Sequence, residues 1–262
     1  MLTTQDWYRE LTDRRKALWQ VAQGTGCDLV LIYGGWGHAE PFRYVTNFVP
    51  VLGDAYAICA GAEQIACVLN FGWQLIEARA ISGISDWYGI FNPVPKVIEL
   101  LQAAAPSAKR IGVVGLHRLP HPTYQAIKAA FPGAELIDIG TAVGKLRWRK
   151  SDFEIQLLSE AARITDAAFD AIRTELKPGL TEFEVAARLN YHIQKLGADL
   201  SFAGTVVSGN DYPIPIRMPT DRKLQVGDSI MIDIGASYQG YQADATRTFV
   251  LGEPNADQLH VW

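Results

Sequence analysis

Between Asp228 and Phe249 apolar and polar residues alternate around a glycine-flanked centre, and a period of two commits the chain to strands with one buried and one open face. Ile230, Ile232 and Ile234 share one parity and Asp233 has the other. Setting Asp233 opposite Asp244 centres the turn between Tyr238 and Gln239, inside the stretch flanked by Gly235 and Gly240. In that register both carboxylates point to one face, with Cβ atoms roughly 5 Å apart. Like charges so placed repel unless a positive charge lies between them, and hard carboxylate oxygens suit Mn, Mg or Zn. Two plainer readings stay open: Arg247 pairs with one aspartate, or both are solvated residues on an exposed hairpin. Two carboxylates are in any case too few for a tight site, which needs roughly four to six ligands.

Upstream of the hairpin the period changes from two to 3.6. Ser151 and Glu154 form a capping box, and Leu157, Leu158, Ala161, Ile164, Ala168 and Ile172 follow on one face, which predicts a helix of about six turns. Lys177, Pro178 and Gly179 end it. A second capping box, Thr181 with Glu184, opens another helix that Gly197 stops. The charged segment Leu146–Ser151 marks a boundary, giving domains over 1–146 and 147–262.

The first domain reads differently. Trp7, Leu11, Ala17, Leu18 and Val21 predict an opening helix from Thr4 to about Gln23. Short apolar runs over 28–33, 42–46, 55–60 and 64–69 predict strands. Helical stretches at 95–104 and 122–131 flank a strand at 110–115, and 135–138 supplies another, so the domain is α/β.

A chain of 262 residues is long enough for two domains. Its net charge of −4, with Lys and Arg scattered, gives no basic stripe for nucleic acid. Cys27, Cys59 and Cys67 form no C-x-x-C pair and are odd in number, so neither a disulfide framework nor a cysteine zinc site is expected. No apolar run reaches membrane-spanning length and the polar start is unlike a signal peptide, so no membrane and a cytoplasmic location are expected.

The stretch Met231–Thr248, ending in Asp-Ala-Thr-Arg-Thr, resembles the signature of the pita-bread metallopeptidases, a family of Xaa-Pro dipeptidase, aminopeptidase P, methionine aminopeptidase and creatinase. Pro219–Asp228, Leu146–Ile155 and Phe42–Phe48 extend the likeness over nearly the whole chain. The resemblance implies an α/β creatinase-like N-terminal domain followed by the first half of an α+β pita-bread domain. It also implies a site for two divalent ions (Mn, Zn or Co) held by Asp, Asp, His, Glu and Glu, with Asp233 and Asp244 in the first two positions. The implied activity is hydrolysis of a small peptide or amide metabolite by a metal-bound hydroxide, and the implied assembly is a homodimer. The remaining ligand segments would follow Trp262, so the chain is expected to be incomplete and inactive as it stands. A histidine that family peptidases carry before the Pro-Thr-Asp-Arg stretch corresponds here to Ile216. That departure suggests an alternative, a non-peptidase C–N hydrolase of the creatinase or ectoine-hydrolase kind. A catalytically dead dimerisation or binding module is a further alternative. His38, His117, His121 and His192 are expected to be loop, surface or packed residues.

Overall fold

The computed structural model describes residues 3–35, 37–199, 204–209 and 216–261, in two compact units, Met1–Arg149 and Lys150–Trp262. The first unit is built on a mixed six-stranded sheet. Its elements run α1 (Thr4–Gly24), β1 (Leu29–Gly35), α2 (Glu40–Thr46), β2 (Asp54–Cys59), β3 (Ile65–Leu69), α3 (Leu75–Ser82), β4 (Trp87–Gly89), α4 (Val94–Ala104), β5 (Arg110–Val114), α5 (His121–Ala130), β6 (Glu135–Asp138) and α6 (Gly140–Leu146). The strand order is β4-β3-β2-β1-β5-β6, with β1 parallel to β5 and antiparallel to β2. β1 is buried along its whole length because apolar layers cover both faces of the sheet. Val30 and Ile32 pack with Leu18, Phe42 and Val143 on one side, and Leu29 and Leu31 pack with Val97, Leu101 and Ile127 on the other.

One predicted strand is a helix. Residues 42–46 lie in α2, where Phe42, Val45 and Thr46 bury the face that i, i+3, i+4 spacing produces. Pro41 occupies the first turn, where a missing N–H costs nothing, and Asn47 closes the helix in the left-handed region at φ 58°. Seven residues are too few for sequence periodicity to separate the two states. The structure adds three short elements that no periodicity in the sequence marks, α3, β4 and α6.

The second unit runs α7 (Asp152–Glu175), α8 (Glu182–Lys195), β7 (Thr205–Ser208), β8 (Ser229–Ile234), β9 (Ser237–Tyr238), β10 (Tyr241–Gln242), β11 (Ala245–Val250) and α9 (Ala256–Val261). Both capping boxes are formed: Ser151 accepts from the Glu154 N–H and Thr181 from the Glu184 N–H, each carboxylate accepting from the cap's own N–H in return. The apolar face of α7 meets that of α8 and the Ile230, Ile232 and Ile234 side of β8 in one core. Ala236 N–H donates to Thr165 Oγ1 at 3.0 Å, and the Tyr241 hydroxyl to Glu154 Oε1 at 2.9 Å, so α7 holds the hairpin at two polar points as well. Among the described residues no helix is long and apolar enough to cross a membrane.

Candidate metal centre

The hairpin that carries the carboxylates has a register shifted by two residues from the one the alternation suggested. Asp233 lies opposite Thr246, not Asp244, and Tyr238 lies opposite Tyr241. The turn is therefore the pair Gln239 and Gly240, both at positive φ (45° and 73°), the conformation of a two-residue hairpin turn whose twist matches that of the strands. Asp199 fixes it, accepting from Gly240 N–H at 2.7 Å through Oδ2 while its own N–H donates to Ser237 O. A tight two-residue turn needed only a neighbour tolerant of positive φ beside Gly240, and Gln239 does not advertise that.

The shift is by an even number, so parity survives. Ile230, Ile232 and Ile234 are buried while Asp233 is half-buried on the other face. Asp244 precedes Thr246 by two and shares its side, so the aspartates are diagonal neighbours, a relation in which Cα atoms lie about 7–8 Å apart. Regular strand structure pauses at Ala243 and Asp244, and Asp244 is exposed. Gly235 makes the pause possible: a Cβ there would lie 1.8 Å from the Ala243 carbonyl oxygen. Gly204, across from the other edge of β8, is equally tight, its Cβ falling 2.4 Å from the Asp233 carbonyl oxygen. Two glycines thus let backbone close in on both sides of the Asp233 segment.

Asp233 Oδ1 accepts a hydrogen bond from Thr246 Oγ1 at 2.9 Å, which fixes its carboxylate. Arg247 does not neutralise either aspartate. It points to the opposite face, with its guanidinium 5.3 Å from the Phe169 ring centre and 3.5 Å from Asp166. Among the described residues no cationic side chain pairs with Asp233 or Asp244, and no group of three or more metal-ligating side chains comes together. The donor chemistry of two carboxylates fits a hard or borderline divalent ion, and two donors are fewer than the roughly four to six that a tight site needs.

A second polar centre, absent from the sequence reading, braces the segment leading into β8. Glu182, at the start of α8, has no exposed surface. Its carboxylate accepts from Ser208 N–H and Oγ at 2.8 Å, from both terminal nitrogens of Arg217 at 2.7 and 2.8 Å, and from Thr220 N–H and Oγ1 at 2.9 and 2.7 Å. Burial alone would push its pKa up; the bonds from Arg217, Thr220 and Ser208 outweigh that and hold it at about 2. Beside it, Arg222 grips Asp228 with two nitrogens at 2.6 and 2.9 Å and donates to Ser208 Oγ. Burial likewise raises the Asp228 carboxyl, and the Arg222 and Gln225 bonds bring it below its ordinary value. The only sequence signal was an acidic residue in the first turn of a helix, which is as common as any cap.

Ile216 is 71% exposed and stands next to the clamped Arg217; residues 210–215, just before it, lie outside the described residues. Each of these four histidines has a local contact of its own. His192 bonds Glu175 at 2.7 Å, His117 accepts from Arg118, His121 contacts Gln125, and His38 stacks obliquely on Tyr33.

Residues 14–148 match the creatinase/prolidase N-terminal domain, and residues 156–262 match metallopeptidase family M24. An uncharacterized peptidase of Bacillus subtilis is 33% identical over 83% of this chain and 60% of its own length. An Xaa-Pro dipeptidase of Pyrococcus furiosus is 27% identical over 86% of this chain and 62% of its own. The chain therefore spans about three fifths of the length of these curated relatives. Among solved structures, an Xaa-Pro dipeptidase from Bacillus anthracis superposes with a TM-score of 0.80 at 26% identity, covering 96% of this chain and 68% of that one. A prolidase from Pyrococcus horikoshii gives 0.80 at 25%, covering 95% and 68%.

Proposed function

The chain belongs to the creatinase/prolidase type of metallopeptidase, family M24, with an α/β N-terminal domain followed by the first part of a pita-bread domain, and on that premise we propose that Asp233 and Asp244 are ligands of a divalent ion in a hydrolase of small peptides. The observation that carries this reading is the pair of same-side carboxylates, one fixed by Thr246 and neither offset by a basic side chain among the described residues. When bound, such an ion supplies a nucleophile at neutral pH and polarises the scissile carbonyl. Mn, Zn and Co all suit the donors, and two ions are proposed for a shell completed by further ligands.

The chain's own residues do the positioning. Thr246 turns the Asp233 carboxylate, and the buried isoleucine face of β8 keeps water from the back of the strand. Gly235 lets Asp244 come beside it. The relatives named Xaa-Pro dipeptidase support substrates of the Xaa-Pro dipeptide class. Ile216 supports a second reading, a small polar amide in place of a dipeptide, because an exposed isoleucine offers no hydrogen bond and no charge to a peptide.

With two carboxylates as its share of the shell, the 262-residue chain is expected to bind the ion and turn over no substrate. Proline release from Xaa-Pro dipeptides in millimolar Mn, with and without a chelator, checks this. Release that needs the ion and is lost in Asp244→Asn would keep the ligand assignment and overturn the partial shell. Release that survives chelation would sink the metal reading altogether.

A further inference from the structure

Arg247 opposes Ile232 in the ladder between β8 and β11, so its side chain leaves the sheet on the α7 face, away from both aspartates. There its guanidinium lies 5.3 Å from the ring centre of the buried Phe169 and 3.5 Å from Asp166. Asp166 and Phe169 are three residues apart on α7 and share a side of that helix. An exposed ion pair contributes little energy, but with the ring beneath it the pair fixes where a planar guanidinium can lie.

From that seat Arg247 Nη1 donates to the Thr246 carbonyl oxygen at 2.9 Å. Among the described residues β11 is at the edge of the sheet β11-β8-β7, and an edge strand presents carbonyls that no neighbouring strand takes up. Thr246 is also the residue whose hydroxyl donates to Asp233 Oδ1 at 2.9 Å. A threonine has little freedom about χ1, so whatever fixes its backbone fixes where Oγ1 points.

We infer that Arg247 is a positioning residue for the Asp233 carboxylate, acting through Thr246 from the far side of the strand. The guanidinium holds the Thr246 carbonyl and with it the peptide plane, and the hydroxyl on the other face holds Asp233 Oδ1. This placement reconciles two demands. A cation beside the carboxylates competes with a divalent ion for them, whereas one behind the strand acts on the backbone alone. The inference rests on the reading of Asp233 as a ligand and adds to it a group that touches neither carboxylate.

Mn titrations of the 262-residue chain and its variants, followed by the electron paramagnetic resonance of the free ion, test it. Arg247→Met keeps apolar cover on Phe169 and removes the donor, and Thr246→Val removes the hydroxyl. Each is expected to raise the dissociation constant about tenfold, the lower end of what losing an outer partner of a metal ligand costs. The double variant is expected to bind no more weakly than Thr246→Val alone, because the two residues act in series. Arg247→Lys, which returns a charged donor, is expected to recover most of the affinity. The Arg247 side chain is half-exposed, so neither substitution threatens folding. Wild-type affinity in Arg247→Met, losses that multiply in the double variant, or an Arg247→Lys protein as weak as Arg247→Met would each overturn the inference and leave the ligand assignment in place. A wild-type chain that takes up no Mn, or takes it up equally well after Asp233→Asn, would instead remove the ligand assignment and this inference with it.

Discussion

Glu182→Ala is expected to destabilise the second unit by about 3–5 kcal/mol, the loss typical of removing one partner from a buried ion pair. The substitution leaves the Arg217 guanidinium, the Thr220 N–H and the buried Ser208 N–H without the carboxylate that accepts from all three. Hydrogen exchange over β7 and β8, followed in urea, reads this unit separately from the first. Wild-type protection retained in the variant would contradict the account. The same carboxylate sets an acid limit. Its folded pKa of about 2 lies below the ordinary value of 4.5, so its stabilisation is complete above about pH 4.5 and is lost as pH falls toward 2. Asp228, also held low by Arg222, loses its contribution in the same direction. Protection of β7 and β8 that is flat across this window would show that the carboxylate is not engaged as described.

Gly235→Ala should be comparably severe, at about 3 kcal/mol or more, for a purely steric reason. The added methyl would occupy the position of the Ala243 carbonyl, and no flexible side-chain end is there to give way. The strands must part where Asp244 sits, so this variant is expected to lose metal affinity with both carboxylates still present. Gly144→Ala in α6 serves as the control, because nothing lies within 4 Å of its new Cβ and alanine favours helix. Thermal unfolding and a metal titration of both variants check the pair. A Gly235→Ala protein with wild-type stability and wild-type affinity would mean that the hairpin closes differently.

What the sequence made legible was local or periodic. The two capping boxes and the parity of β8 needed only nearest neighbours along the chain, and all three are present in the structure. The register did not follow, because a shift of two residues leaves every side chain on its own face and hydrophobic alternation cannot detect it. The α2 segment failed for want of length. The Glu182 clamp was invisible for another reason: its partners lie 26 to 38 positions away, and no pattern along the chain ties an acidic residue in a helix's first turn to Ser208, Arg217 and Thr220. The aspartates were singled out by spacing within a recognisable motif, while the Thr246 hydroxyl that orients Asp233 became apparent only with the corrected register.

The most direct test of the metal assignment is isothermal titration of Mn and Zn into the 262-residue chain, its Asp233→Asn variant and its Asp244→Asn variant. A partial shell of two carboxylates is expected to give a dissociation constant of about 10⁻⁵ to 10⁻³ M for the wild type, weakened at least tenfold in each variant. Heats that are the same in all three proteins, whether from binding elsewhere or from none at all, would contradict the assignment of these two residues as ligands.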